Sequence, residues 1–571
     1  MEKTKGSLKG VKPAFWLANA QEACERLAYF GIRAVLPLMM VSVGTGGLGL
    51  SMSEKGWIYG IWALIQCFVP MISGGFSESF GYKKSLIVAF VINTIGYLLM
   101  ANVLNIAAFL TDTDVLNTSL NFWIMMFSGC TIGLGTAIFK PPVQGIVASS
   151  LNEKNSGVGF GVFYWVVNVG GFLAPMAASA LRGSDDAPTW HYVFYGAAFV
   201  TLFNLLITLI FFKEPEKTAK AKKKESALNV FVNTLSILFK DRSMLIFLLI
   251  VSGFWFMFMQ LWDLLPNFLD EWVDRRGIGQ WLHQFGFMDT FLEGEAGQWA
   301  LKPEMIINID SFAIICFVIP LSALFSRYKM MTALVLGMII SVVGFILSGL
   351  TMSGGIACLA VFIFAIGEII CSPKFNEYIG MTAPADKKAI YMGFSNIPFA
   401  IGWGVGNVLS GILYDTFSSK TLMAKNYLIE NGADAASLDS LSQNELMAKV
   451  QEVAAQLSGQ NVDLYQANEI LWNMYHPWTI WLMLGALGVI SMLGMIVFYK
   501  KSGMAQKDDA TSQENSDASD DATSQEKSDA SDDATSQEKS DADGDATSQE
   551  ESDASDDATS QEKDELTKTN D

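Results

Sequence analysis

Apolar runs of twenty or more residues recur along the chain, separated by short stretches where charged residues, Gly and Pro collect. Twelve are long enough to cross a hydrocarbon layer about 30 Å thick. They cover 14–41, 56–77, 84–110, 121–147, 157–181, 191–212, 243–269, 304–326, 330–351, 355–382, 388–414 and 477–499. The pattern is six spans, a linker over 213–242 that holds Lys213, Lys217, Lys220, Lys222, Lys223, Lys224, Lys240 and Arg242, and six more spans. It predicts an all-α polytopic membrane protein with a bundle over 14–212 and a second over 243–499. The first run is long and carries charges, so it reads as a span rather than a cleavable signal peptide.

Two polar stretches interrupt the second bundle. Residues 270–303 mix Gly, acids and aromatics. Residues 415–476 contain Ser442 followed by Glu445, a capping-box signature, and then Leu446, Val450, Val453 and Leu457 at helical spacing. That stretch predicts an amphipathic surface helix acting as a lid or packing element.

Lysine and arginine placement sets the expected orientation. Positive residues occupy the 1–13 tail (Lys3, Lys5, Lys9, Lys12), alternate loops (Lys83/Lys84, Lys154, Arg327/Lys329, Lys387/Lys388) and the exit from the last span (Lys500/Lys501). The opposite loops carry Asp112, Asp114, Asp185 and Asp186. Both termini are expected in the cytoplasm and both insertions outside, in a cell inner (cytoplasmic) membrane.

Composition agrees with a lipid-embedded chain. Of the 571 residues, 51 % are hydrophobic and only 17 % charged, against about 25 % charged in soluble domains. The formal net charge of −19 is local: from Asp508 onward there are 23 acidic residues and 4 lysines, leaving 34 of each sign in the body. Those residues belong to a 500–571 tail that repeats Ala-Thr-Ser-Gln-Glu with a period of 12 and has too little apolar content to build a core. No basic patch suggests nucleic acid. The six cysteines lie singly in apolar runs, and no HExxH, P-loop or nucleophile elbow occurs. Neither a metal site, an organic cofactor nor an enzyme activity is expected.

Charges inside spans cost roughly 2.5–3.5 kcal/mol each on insertion scales and demand a wet cavity or buried partners. Span 1 places Glu22, Glu25, Arg26, Tyr29 and Arg33 along one stripe. Such a set fits either a functional cavity or a salt-bridge network between bundle halves. Span 4 holds Lys140 ahead of Pro141-Pro142, which are expected to kink or break the helix. Lys140 is a candidate counter-ion for the span 1 carboxylates, or a lysine snorkelling to the surface. Span 5 carries Phe163-Tyr164-Trp165 and Asn168. Span 7 carries Gln260, Asp263 and Asn267 on one face, with a kink expected at Pro266. Span 8 opens with Asn308 and Asp310, which could cap it. In span 10 Glu368 lies deep in an apolar run, whereas Lys374 and Glu377 have the spacing of a local ion pair. Tyr29 and Tyr59 are the aromatics expected to line a cavity.

These motifs resemble those of the proton-dependent oligopeptide transporter family of the major facilitator superfamily. Glu22-Ala-Cys-Glu25-Arg26 followed by Tyr29-Phe-Gly-Ile-Arg33-Ala-Val-Leu is similar to ExxER with YYGxRAxL. Lys140-Pro141, Phe163-Tyr164 with Asn168 and Gly170, and Gly367-Glu368 through Ser372-Pro373, Ala383-Pro384 and Met392-Gly393 follow in the family's order. Gly74 to Lys83 is a degraded major facilitator loop. The resemblance covers residues 14 to about 499. It implies a twelve-helix fold of two six-helix bundles around a central cavity, and import of di- and tripeptides with protons as coupling ion by a monomer in the lipid bilayer. It also implies proton coupling by Glu22, Glu25, Arg26 and Lys140, and peptide binding by Arg33, Tyr29, Tyr59, Lys140, Asn168, Asn308 and Glu368.

The chain departs from the family at Phe30, Met259 and Ser395, where a second tyrosine, a glutamate and a tryptophan are usual, and its linker is too short for an extra helix pair. Met259 cannot pair with an arginine, so an Arg33–Asp263 latch on the outer side is expected instead. Another solute on the same scaffold (nitrate, an organic anion or an amino-acid derivative) and a non-transporting receptor or scaffold are the competing readings.

Overall fold

The computed structural model describes residues 11–43, 46–113, 115–151, 155–183, 189–214, 236–294, 298–325, 327–384, 387–438 and 441–501. Lys3, Lys5, Lys9, Asp114, Lys154, Asp185, Asp186, most of the basic linker and the acidic repeats lie outside them, as does the side chain of Glu78.

The first half is built from α1 (Pro13–Val41), α2 (Met52–Phe80), α3 (Tyr82–Ala101), α4 (Val103–Thr111), α5 (Thr118–Ser150), α6 (Ser156–Arg182) and α7 (Trp190–Phe211). Pro13 starts α1, where a missing N–H costs nothing, and the Asn117 side chain caps α5 by accepting from Leu120 N. Span 3, read as continuous from the sequence, breaks at Asn102 into α3 and the short extension α4. Span 4 shows the opposite departure. Pro141 and Pro142 lie inside an unbroken α5, so of the kink or break expected there the break does not occur.

The second half begins with α8 (Arg242–Asp263) and α9 (Leu265–Trp272), separated at Leu264 just before Pro266 as the sequence predicts. The first insertion forms α10 (Arg276–His283) and a two-residue hairpin, β1 (Leu292–Glu293) with β2 (Ala300–Leu301), antiparallel with Leu292 opposite Leu301. Then come α11 (Pro303–Phe325), α12 (Met330–Gly349) and α13 (Gly354–Thr382). Span 11, expected as one helix over 388–414, is instead α14 (Lys388–Phe394), α15 (Asn396–Phe399), a π-helical turn over Ala400–Val405, and α16 (Gly406–Phe417). The second insertion contributes α17 (Lys420–Glu430), α18 (Ala435–Leu438), α19 (Gln443–Ser458) and α20 (Leu464–Tyr475), and α21 (Thr479–Lys501) closes the bundle. Ten described helices are long and apolar enough to cross a membrane. Helix α1 breaks that pattern with four charges in its middle.

In α19 the capping box between Ser442 and Glu445 is present. The buried stripe is Leu446, Met447, Val450 and Ala454. Leu457, expected on that face, is 67 % exposed beyond the packed turns.

The halves meet most closely where α2 crosses the π turn and α16. A Cβ on Gly56 would run into the Asn407 carbonyl oxygen, and one on Gly60 would stand 2.8 Å from the Gly404 carbonyl oxygen. Backbone therefore rests on backbone at this crossing, which only glycine permits. Gly402 approaches the α8 backbone in the same way, 2.6 Å from Phe256 N for an added Cβ. These contacts shape the π turn.

Candidate functional site

The charged stripe of α1 lies within the bundle. Glu22, Glu25 and Arg26 are buried, each 5 % exposed or less. Arg26 pairs with both carboxylates: with Glu22 at 3.3 Å, one turn away, and with Glu25 beside it. Its guanidinium also lies over the rings of Tyr29 (5.1 Å) and Phe30 (5.4 Å). Lys140 on α5 is within Coulombic range of Arg26, Glu25 and Glu22. It forms no ion pair among the described residues; Arg26 is the cation that pairs with the carboxylates for which Lys140 is the expected counter-ion. Tyr29 donates to Gln66 Oε1 at 3.0 Å, which also receives Trp62 Nε1.

Two turns along α1, Arg33 pairs with Asp263 at the end of α8. The Arg33 guanidinium is held between the rings of Tyr59 (4.7 Å) and Trp403 (4.6 Å). Asp263 Oδ2 accepts from Trp403 Nε1 at 2.7 Å and Asn407 Nδ2 at 2.9 Å. The helix break before Pro266 frees the Asp263 carbonyl from the ladder, and Lys55 fills it: its Nζ donates to Asp263 O and to Asn267 Oδ1, each at 2.7 Å. Asn267 in turn donates to Pro37 O at 2.8 Å. Arg33 and Tyr59, expected at the substrate, are here committed to this inter-half cluster.

A second cluster joins the halves at the same end. Arg182, ending α6, donates to Glu304 on α11 and to Glu293 on β1, and Glu293 also pairs with Arg275. Lys302 donates to Ser179 O at 2.9 Å. Bonds joining the halves between described residues thus concentrate on the side bearing the insertions.

Sequence reasoning missed Lys55, Arg182, Glu293, Glu304, Trp403 and Asn407. Lys55, Arg182 and Glu304 stand at span ends and Glu293 in the first insertion, where charges are ordinarily solvated, so hydropathy raises no alarm. Trp403 and Asn407 are aimed by the π turn, which has no local sequence signature beyond its glycines.

The facing side of the second half holds Glu368 on α13 and Asp310 on α11, within hydrogen-bonding reach of each other. Asp310 is fully buried, and neither of its oxygens nor Glu368 Oε2 receives a hydrogen bond. Asp310 therefore does not cap its helix. Tyr164, on α6 of the first half, is close enough to feel both carboxyl groups. Asn168 donates to Tyr164 O within its own helix, and Asn308 donates to Phe172 O at 3.0 Å across to α6. Lys374 and Glu377 form the local pair that their spacing predicts, at 2.8 Å. No group of side chains suited to hold a metal ion occurs among the described residues.

Outside the spans, Glu271 accepts from Tyr414 at 2.8 Å. Burial pushes the Glu271 carboxyl up to about 7, against the pull of Lys420, and burial brings Lys420 down to about 8.

A family model described as Major Facilitator Superfamily matches residues 22–407, more than half of the chain. The chain is 21 % identical over 394 residues to the multidrug resistance protein MdtH of Yersinia enterocolitica, covering 68 % of this chain and 84 % of that protein. Among solved structures it resembles a POT family transporter in complex with 5-aminolevulinic acid (TM-score 0.59, 15 % identity, 87 % of this chain and 98 % of that one). It also resembles the nucleoside transporter NupG (TM-score 0.58, 13 % identity, 85 % and 100 %). At these identities the solved structures speak to the fold.

Proposed function

This chain belongs to the Major Facilitator Superfamily, a family of transporters, and from that premise we propose that it is a proton-coupled symporter importing di- and tripeptides by alternating access. The observation carrying the reading is a cation without an ion pair on one half and carboxyl groups without a cation on the other. The first half offers Lys140, which forms no ion pair among the described residues, beside the Arg26 cluster; the second offers Glu368 and Asp310 with no cation beside them among the described residues. A zwitterionic peptide needs that bipolar arrangement, and backbone groups common to all peptides need few further contacts. Arg26 and Lys140 attract the carboxylate end, Glu368 the ammonium end, with Tyr29, Asn168 and Asn308 beside the path. Glu22 and Glu25 exchange protons, and Arg26 and Lys140 compete for them. The chain sits in the cytoplasmic membrane with its termini inside, so closure on the insertion side makes this an inward-facing state latched by Arg33 and Asp263.

The likeness to MdtH favours a second reading, proton-driven export of drug-like solutes. Purified protein in liposomes decides between them. Accumulation of a labelled dipeptide under an inward proton gradient, lost when its amino end is acetylated, is the expected result. No peptide accumulation, with gradient-dependent extrusion of cationic dyes, would overturn the proposal.

A further inference from the structure

The Asp310–Glu368 pair is more than a docking point for an ammonium group. Two ionised carboxylates in contact, one fully buried and without a donor, repel each other at close range in a medium that screens poorly. The usual remedy, a cation, is missing. The titratable groups facing the pair are the Tyr164 phenol on α6 and the Cys371 thiol on α13; among the described residues no lysine, arginine or histidine joins them. A proton shared between the two carboxyl groups satisfies this arrangement, supplying the donor that both Asp310 oxygens and Glu368 Oε2 lack.

We propose that Asp310 and Glu368 form a proton-sharing dyad, a second coupling site separate from the α1 carboxylates, and that its singly protonated form receives the peptide ammonium. The charge balance requires the proton to travel with the peptide. A dyad holding one proton carries one negative charge, and one ammonium neutralises it. A bare dyad would keep an uncompensated buried charge after the ammonium arrived. Proton and ammonium therefore bind together and are released together, which is the thermodynamic content of symport.

This inference rests on the peptide reading, and two measurements separate their failures. The first needs no substrate: infrared difference spectra of the full chain in liposomes, titrated with alkali. The native protein is expected to show protonated-carboxyl intensity that disappears as pH rises, and both Asp310→Asn and Glu368→Gln to remove the dyad's component of it while leaving that of Glu271. Spectra in which neither substitution lowers the protonated-carboxyl intensity, or a native protein whose spectrum holds no such band at neutral pH, overturn the dyad whatever the substrate. The second is dipeptide affinity against pH. One linked proton gives a slope of about tenfold per pH unit on the alkaline side, and Asp310→Asn should flatten the profile by that amount. An unchanged profile in Asp310→Asn overturns the coupling. If no peptide binds the native protein while the infrared titration behaves as expected, the dyad stands and the substrate assignment falls.

Discussion

Asp263→Asn tests the latch most directly, because the structure fixes what the substitution removes and what it spares. The asparagine keeps an oxygen that can accept from Arg33 and loses the charge that neutralises it. Lys55 holds the backbone carbonyl of residue 263, so that tether survives. What remains in the closed form is a buried guanidinium between Tyr59 and Trp403 without a counter-ion. Removing one partner of a buried pair costs about 3–5 kcal/mol, and the retained acceptor places this case at about 3 kcal/mol. Opening the insertion side returns Arg33 to water and recovers that energy. The closed-to-open ratio should fall by about a hundredfold, so a population about 99 % closed becomes about evenly split. Spin labels at Ser51 and Thr416, both exposed at the insertion-side ends of α2 and α16, read the separation by double electron–electron resonance in a background free of the native cysteines. A second, longer distance should appear in Asp263→Asn, and exchanging the charges in Arg33→Asp/Asp263→Arg should reduce it. An unchanged single distance in Asp263→Asn would refute the latch.

Three further outcomes follow from the same structure. Glu25→Gln leaves Arg26 with Glu22 alone and should abolish gradient-driven peptide uptake while counterflow, which moves no net proton, persists; uptake that still follows the proton gradient would remove Glu25 from the coupling. Gly56→Ala drives a methyl group into the Asn407 carbonyl and should cost about 1–3 kcal/mol in the closed state, so the Ser51–Thr416 distance lengthens even with the latch intact. The Glu271 carboxyl, raised by burial from 4.5 to about 7, makes the folded state bind the extra proton across that window. Stability should therefore fall as pH rises from about 4.5 to 7. Lys420, lowered from 10.5 to about 8, should return stability between about 8 and 10.5. Glu271→Gln should raise the melting temperature at pH 7.5 by a few degrees and remove the acid-side slope, measured by differential scanning fluorimetry.

The spans were legible because period and length are properties of the local sequence: a short polar loop cannot be mistaken for a helix that must hide every amide in lipid. Charges in the middle of a span were equally legible, and Glu22, Arg33, Asp263 and Glu368 were found for that reason. The spacing that predicted Arg33 opposite Asp263 depended on one helical turn, a distance that survives ignorance of the fold. What escaped depended on the other half of the molecule. Lys55 is unremarkable as a residue near a span end until the carbonyl beside Pro266 is known to point at it. The unbroken α5 shows the converse: Pro141 and Pro142 weaken a ladder locally, and packing overrode that preference. The π turn escaped because its close approaches, of α8 to Gly402 and α2 to Gly404, are tertiary and leave no mark in the residues of the turn beyond the glycines themselves.

Glu293 sits on a hairpin that belongs to no span, yet it bridges Arg182 of one half to Arg275 of the other. The insertion is thereby a structural member rather than an ornament. Trimming it to a minimal loop would remove Glu293 and Arg275 together and strip Arg182 of one of its two carboxylates. Grafting it onto a related transporter would import Arg275 and Glu293 without an arginine to receive them. Shortening this loop for crystallisation or display thus has to be treated as surgery on the gate, with Arg182 replaced in the same step.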